Sequence, residues 1–183
     1  SDGIDATPNY FPGHSDRPVE GVKYGDIQVF IQRLNEQMSS MIPAGWAYVL
    51  PTEAQWEYAC RAGTNTAYSW GGSIASNDAN YNWDGDYNTG SDYQQTRDVG
   101  QYSPNAWGFY DMHGNMSEWC FDKYGSYPGG KVVYYEKDHR LRRGGSWNST
   151  PYNTSSSERG LPQLANRKAT GVDGFRLALI QKK

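Results

Sequence analysis

The chain has 183 residues, which fits one domain with a sizeable core, and no second domain is expected. Its formal charge of -3 comes from 17 basic and 20 acidic residues that are interspersed, so no basic face is available to release counterions from nucleic acid. No stretch approaches the roughly 18 apolar residues that cross a bilayer, and 15 Tyr, 7 Trp and 21 Gly at a mean hydropathy of -0.85 describe large anchors set in irregular polar backbone.

Residues 1–17, with Pro8, Asn9, Pro12 and Gly13 and no apolar period, read as an irregular arm ahead of a single domain over 18–183. Ile27, Phe30, Ile31, Leu34 and Met38 then recur at three and four residues, which predicts a helix from about Asp26 to Met38. Pro43 and Gly45 end it, and Trp46 to Leu50 form a short strand-like run. Thr52 with Gln55 three positions on is a capping box, so a second helix starts there, with Trp56, Ala59 and Cys60 on its inner face. Gly63 supplies a left-handed residue at its end.

Ser76 to Gly100 has no period and reads as a long loop with some order from its tyrosines and Trp83. Val132–Tyr135 and Arg140–Arg143 read as strands, and alternation through Phe175, Leu177 and Leu179 predicts a closing strand. Arg142 and Arg143 are expected to pair with acids inside the sheet. Cys60 and Cys120 allow either one disulfide or two buried thiols. Asp111 and Glu118 flank a Gly-Asn turn, an arrangement able to wrap oxygens around a hard cation; the alternative is that Asp111 caps a turn and Glu118 pairs with an arginine.

Four blocks in order, Leu50 to Tyr58, Asn105 to Asn115, Arg143-Gly144-Gly145-Ser146-Trp147 and Gly174-Phe175-Arg176-Leu177-Ala178, resemble the formylglycine-generating-enzyme (FGE-sulfatase) family over about residues 18–179. The resemblance implies a loop-rich α+β domain, a variant of the C-type lectin fold, with two helices around short twisted strands. The strand-rich N-terminal part usual in that family is missing, as expected of a trimmed form of a longer precursor. It also implies structural calcium, held at one site by Asp111, Glu118 and the carbonyls of Gly114 and Met116. At a second site the ligands would be Asn80, the carbonyl of Tyr81 and an acid of the following loop, for which Asp92 is the nearest fit. His113 is expected to be packed or at the surface rather than a ligand.

The family's oxidase chemistry needs a copper-binding cysteine pair shortly after the Gly-Gly-Ser-aromatic motif, and Ser149 and Thr154 stand at those positions. A hydroxyl is a poor copper(I) ligand, so this chemistry is absent. The related iron-dependent sulfoxide synthases use a histidine triad that His14, His113 and His139 do not reproduce. The expectation is a non-enzyme; an enzyme or accessory factor of the same family lacking the cysteine pair is the alternative. The calcium motifs of sugar-binding lectins, Glu-Pro-Asn and Trp-Asn-Asp, are absent.

Between Trp147 and Gly174 the chain is rich in small polar residues, among them Asn148, Ser149, Thr150, Asn153, Ser155 and Thr170, which places it on the surface over a fixed frame. This tail resembles the variable region of diversity-generating-retroelement proteins, a treponemal surface protein among them, in which adenines of a template copy are randomised. The resemblance implies ligand contacts from Trp147, Asn148, Ser149, Thr150, Tyr152, Asn153, Gly160, Leu161, Leu164, Ala169, Thr170, Val172 and Asp173. It further implies a protein or other macromolecular ligand and a place outside the cell or on a bacterial surface.

Overall fold

The computed structural model describes residues 8–83, 94–125, 138–166 and 170–182. Its first helix, α1, spans Tyr24–Gln37, two residues earlier than the apolar stripe alone suggests because Tyr24 also turns inward. Tyr24, Ile27 and Ile31 bury against Val22, Leu50 and Trp119, each large aliphatic contributing roughly 1.5–3 kcal/mol of transfer free energy. The stripe is only half sunk: Phe30 stays partly exposed, edge-on to Phe175 at 5.6 Å. Asn35 fastens the helix to strand β1 (Trp46–Val49), its amide donating to the Tyr48 carbonyl at 2.8 Å while its Oδ1 accepts the Tyr48 N–H.

Helix α2 (Glu53–Arg61) begins with the expected box: Thr52 Oγ1 accepts from Gln55 N and Gln55 Oε1 accepts from Thr52 N. At its other end the left-handed turn starts one residue early, at Ala62 (φ 46°), and continues through Gly63 (φ 91°). Trp56 and Cys60 face a second apolar cluster with Met112, Cys120 and Leu141. Cys60 and Cys120 are free buried thiols, which decides between the two sequence alternatives. Burial pushes the Cys60 thiol up to about 12 and raises Cys120 as well.

Strand β2 (Ser117–Lys123) is the centre of a four-stranded sheet ordered β4-β3-β2-β5, with β3 at His139–Arg143, β4 at Gln163–Leu164 and β5 at Asp173–Gly174. β2 runs antiparallel to β3 and parallel to β5, and β3 is antiparallel to β4. The closing strand β6 is Ala178–Gln181, further along than the alternation from Phe175 suggests, and pairs with β1 from Trp46↔Gln181 to Val49↔Ala178. The strand expected at Val132–Tyr135 lies outside the described residues, as do Ala169 and residues 84–93 of the long loop, Asp92 among them.

The arm is not separate from the domain. The Phe11 N–H donates to the buried Glu20 carboxylate at 3.1 Å, and the Phe11 ring meets Trp147 edge-on at 5.9 Å. No helix among the described residues is long and apolar enough to cross a membrane.

Candidate functional site

The Gly144-Gly145 pair after β3 explains how the next segment begins. Both residues have left-handed φ values of +88° and +68°; a Cβ on Gly144 would stand 2.9 Å from the Trp56 ring, and one on Gly145 would stand 2.6 Å from the Asn153 carbonyl oxygen. Only glycine permits this turn and this approach. Ser146 then closes a tight turn: its N–H donates to Ser149 Oγ and its carbonyl accepts the Ser149 N–H, both at 2.9 Å.

From Pro151 to Glu158 the backbone is held almost entirely through its own carbonyls. Tyr68 Oη donates to Pro151 O at 2.7 Å, and Thr154 Oγ1 donates to the same oxygen at 2.8 Å. His113 Nε2 accepts the Ser69 N–H, so Nδ1 carries the proton and donates to Thr154 O at 2.8 Å. Burial lowers the pKa of His113 and keeps this ring neutral, which places it in the packed role expected of it. Arg143, fully buried, donates to the carbonyls of Ser156, Ser157 and Glu158 and to Glu57 Oε2 at 2.5 Å, with Glu53 also in reach. The Ser156 N–H donates to Ala67 O and the Asn82 N–H to Ser149 O.

On this frame the expected contact residues divide. Tyr152 (72% exposed), Asn153 and Leu161 (76%) project outward. Trp147, Asn148, Ser149, Thr150, Leu164, Thr170 and Val172 are half-buried, with Trp147 Nε1 donating to Gly171 O and Thr170 Oγ1 to Asp173 Oδ2. Two expectations are corrected. Asp173 is 2% exposed and paired with Arg142, so it is a sheet residue and faces no ligand. Gly160 packs so closely that a Cβ would stand 2.9 Å from the Arg142 carbonyl oxygen, which makes it a framework position too. Thr154 and Ser156, polar residues of the same stretch, are fully buried. Sequence reasoning missed Tyr10, whose ring covers Gly171 at the end of the segment while staying 65% exposed; the arm around it has no apolar period to signal such packing.

Ser149 and Thr154, at the positions of the family's cysteine pair, are both engaged in the internal bonds just described, and neither hydroxyl has a basic partner. The histidine of the region serves the backbone instead. Neither of these two hydroxyls is activated as a nucleophile in this geometry.

The cation ligand sets fare differently. Arg176 reaches both oxygens of Glu118, at 2.5 and 2.6 Å, and Trp56 Nε1 donates to the same carboxylate at 2.6 Å. Glu118 therefore takes the arginine pairing that was its alternative, and in this geometry it does not fit as an ion ligand. Asp111 Oδ2 accepts the Gly100 N–H at 2.7 Å, the Gly114 carbonyl accepts the Met116 N–H at 2.7 Å, and burial raises the Asp111 pKa. At the second set one ligand, Asn80, fits: it is buried, its Nδ2 donates to Gln95 O and Asn115 Oδ1, and its Oδ1 has no partner. An unpartnered buried acceptor is a site for a cation or a water. The neighbouring Tyr81 is buried, and the expected acid lies outside the described residues. Among those residues no three His, Cys, Asp or Glu side chains converge.

The blocks that build this frame match, over residues 5–180, the model of the sulfatase-modifying factor enzyme 1-like (FGE-sulfatase) domain. The chain belongs to this family. The formylglycine-generating enzyme of Bos taurus is 29% identical over 158 residues, 80% of this chain and 38% of the enzyme. A second Bos taurus relative, the inactive C-alpha-formylglycine-generating enzyme 2, is 30% identical over 138 residues, 70% of this chain and 43% of its own length. The chain thus spans less than half of each FGE relative, and the family holds an inactive member beside the enzymes. Among solved structures, Treponema denticola variable protein 1 superimposes with a TM-score of 0.75 at 23% identity, covering 96% of this chain and 77% of that one. That likeness shows the fold, the FGE-type variant of the C-type lectin architecture.

Proposed function

We propose that this FGE-family chain is a non-catalytic binding protein that presents Tyr152, Asn153 and Leu161, with the half-buried Trp147, Asn148, Ser149 and Thr150, to a macromolecular ligand. The observation that carries the reading is the division of labour in residues 147–161. The carbonyls of Pro151, Thr154, Ser156, Ser157 and Glu158 are held by Tyr68, His113 and Arg143, none of which belongs to the segment, while the outward side chains make no bond that the fold depends on. Such a surface binds without ordering its own backbone, which leaves only the outward side chains to be ordered, at roughly 0.5–1.5 kcal/mol each. Hydroxyls in place of the family's thiols support the same reading.

Diversification by a retroelement is part of the proposal, and so are display outside the cell and a calcium ion at Asn80. The test is to sequence the DNA flanking the gene. A nearby copy of the bases encoding residues 148–173, differing only where the copy has adenine and lying beside a reverse-transcriptase gene, is expected. Differences should fall on the codons of Tyr152, Asn153 and Leu161 and spare those of Gly160 and Asp173. The absence of any such copy, or differences spread over framework codons, overturns the retroelement reading.

A further inference from the structure

Away from residues 148–173, one cleft is walled by two aromatic loops. The first wall is Trp70, fixed on three sides: its Nε1 donates to Ser73 O at 3.0 Å, its face stacks on Tyr68 at 5.6 Å and 11°, and it meets His113 edge-on at 4.8 Å. It is nevertheless 44% exposed. The second wall carries Phe109 and is pinned by Asn105, whose Nδ2 donates to the last carbonyls of α2, Ala59 O at 2.7 Å and Cys60 O at 3.2 Å. Asn105 Oδ1 in turn accepts the N–H groups of Trp107 and Phe109. Tyr102 lies between the walls, and the lining also includes Asp78 and Asp111. Both walls are therefore rigid before anything binds.

Each carboxylate has one backbone donor, Ala75 N for Asp78 and Gly100 N for Asp111, both at 2.7 Å and both on Oδ2. Among the described residues neither forms a salt bridge; Arg176 acts on Asp111 only through space, and it and the other nearby cations are held by closer partners. Arg176 is held bidentate by Glu118, Arg61 pairs with Glu57 at 2.8 Å, and Arg97 donates to the Tyr102 hydroxyl at 2.9 Å. Negative charge that no salt bridge neutralises, set among aromatic faces, attracts a weakly hydrated positive group, which gains from both the carboxylates and the ring quadrupoles. A metal ion is poorly matched, because it needs more oxygens than two carboxylates and loses its water reluctantly beside aromatic rings.

We propose that this cleft binds an organic cation, the ammonium or guanidinium end of a basic side chain, between Trp70 and Phe109 and against Asp78 and Asp111. The site shares Tyr68 and His113 with the frame beneath the display surface but uses none of residues 148–173, so it stands whether or not that surface is diversified. N-acetyl-lysine methylamide and N-acetyl-arginine methylamide, titrated in EDTA buffer by chemical-shift mapping of the Trp70 indole, are expected to bind at millimolar concentration. The uncharged N-acetyl-norleucine methylamide should bind at least about tenfold more weakly. Asp78→Asn keeps the acceptor for Ala75 N and should weaken the cations several-fold with Tm unchanged, while Trp70→Ala, followed through the Phe109 amide shift instead, should abolish binding. Equal binding of the norleucine compound, preferential binding of a methyl glycoside, or no binding of any probe overturns the proposal.

Discussion

Removing the guanidinium of Arg143 tests the frame most directly. The side chain is fully buried, and it is the shared donor for Glu57 Oε2 and for the carbonyls of Ser156, Ser157 and Glu158, with Glu53 3.4 Å away. In Arg143→Met the volume is nearly kept, but three carbonyls and one carboxylate lose their donor. Breaking a buried, hydrogen-bonded ion pair on one side costs about 3–5 kcal/mol. Glu57 is 24% exposed and recovers part of its hydration, so the lower half of that range is expected. At about 2–4 °C per kcal/mol for a domain of this size, Tm should fall by about 6–15 °C. Arg143→Lys, which retains the charge and loses the fork, should fall between. Urea unfolding gives the stability, and amide exchange at Ser156 gives the local effect, since its N–H bond to Ala67 O depends on this segment staying docked. A loss below about 1 kcal/mol, or unchanged exchange at Ser156, refutes the idea that Arg143 holds the display segment.

Both cysteines should resist a thiol reagent at pH 8 until the protein unfolds, because burial raises both thiols well above that pH; stoichiometric labelling of the native state would contradict the packing. Burial also raises the Glu20 pKa, so the folded state binds its proton more tightly than the unfolded chain, and stability should rise as pH falls through the folded value. Glu20→Gln, which keeps the acceptor for Phe11 N, should raise Tm at pH 7 and remove that pH dependence; a fall in Tm at pH 7 would show that the charge is needed. Calcium should raise Tm by mass action and EDTA should reverse it, with Asn80→Ala abolishing the response; a calcium response that survives Asn80→Ala puts the ion elsewhere. Tyr152→Ala and Asn153→Ala should leave the unfolding free energy from urea titration within about 0.5 kcal/mol of the parent, whereas Gly160→Ala should cost more, because its Cβ would meet the Arg142 carbonyl oxygen.

Helices were legible because their signals are local. The spacing of Ile27 and Ile31 and the Thr52–Gln55 box each lie within one or two turns, and both helices form where those residues place them. The short strands were not legible in the same way. β4 and β5 have two residues each and exist only because β3 and β2 offer them an edge, so no alternation could mark them. In the site, the missing thiols and the polar character of residues 148–157 could be read directly. Which of those polar residues face inward could not, because Thr154 and Ser156 are buried by partners distant in sequence, His113, Arg143 and Ala67. The expected pairing of the β3 arginines did point the right way. Had it been followed to Asp173, the carboxylate three residues before Arg176 would have been taken for its partner rather than a contact residue.

That arrangement bears on whether such a surface could vary, as the proposed diversification requires. A loop whose shape depends on its own side chains loses that shape when they change, so its fold energy and its recognition are tied together. Here the bonds that fix residues 151–158 end on main-chain carbonyls, which every residue possesses, and start on His113, Tyr68 and Arg143, which lie outside the segment or before it. Substitution at Tyr152 or Asn153 changes neither end of any of these bonds. The exceptions are the positions where a side chain does complete the frame: Ser149, Thr154 and Asp173 through their oxygens, and Gly145 and Gly160 through having no Cβ. A diversified population of this protein should therefore be variable at the first group and constant at the second. A ligand switch should cost recognition energy and leave the melting temperature nearly where it was.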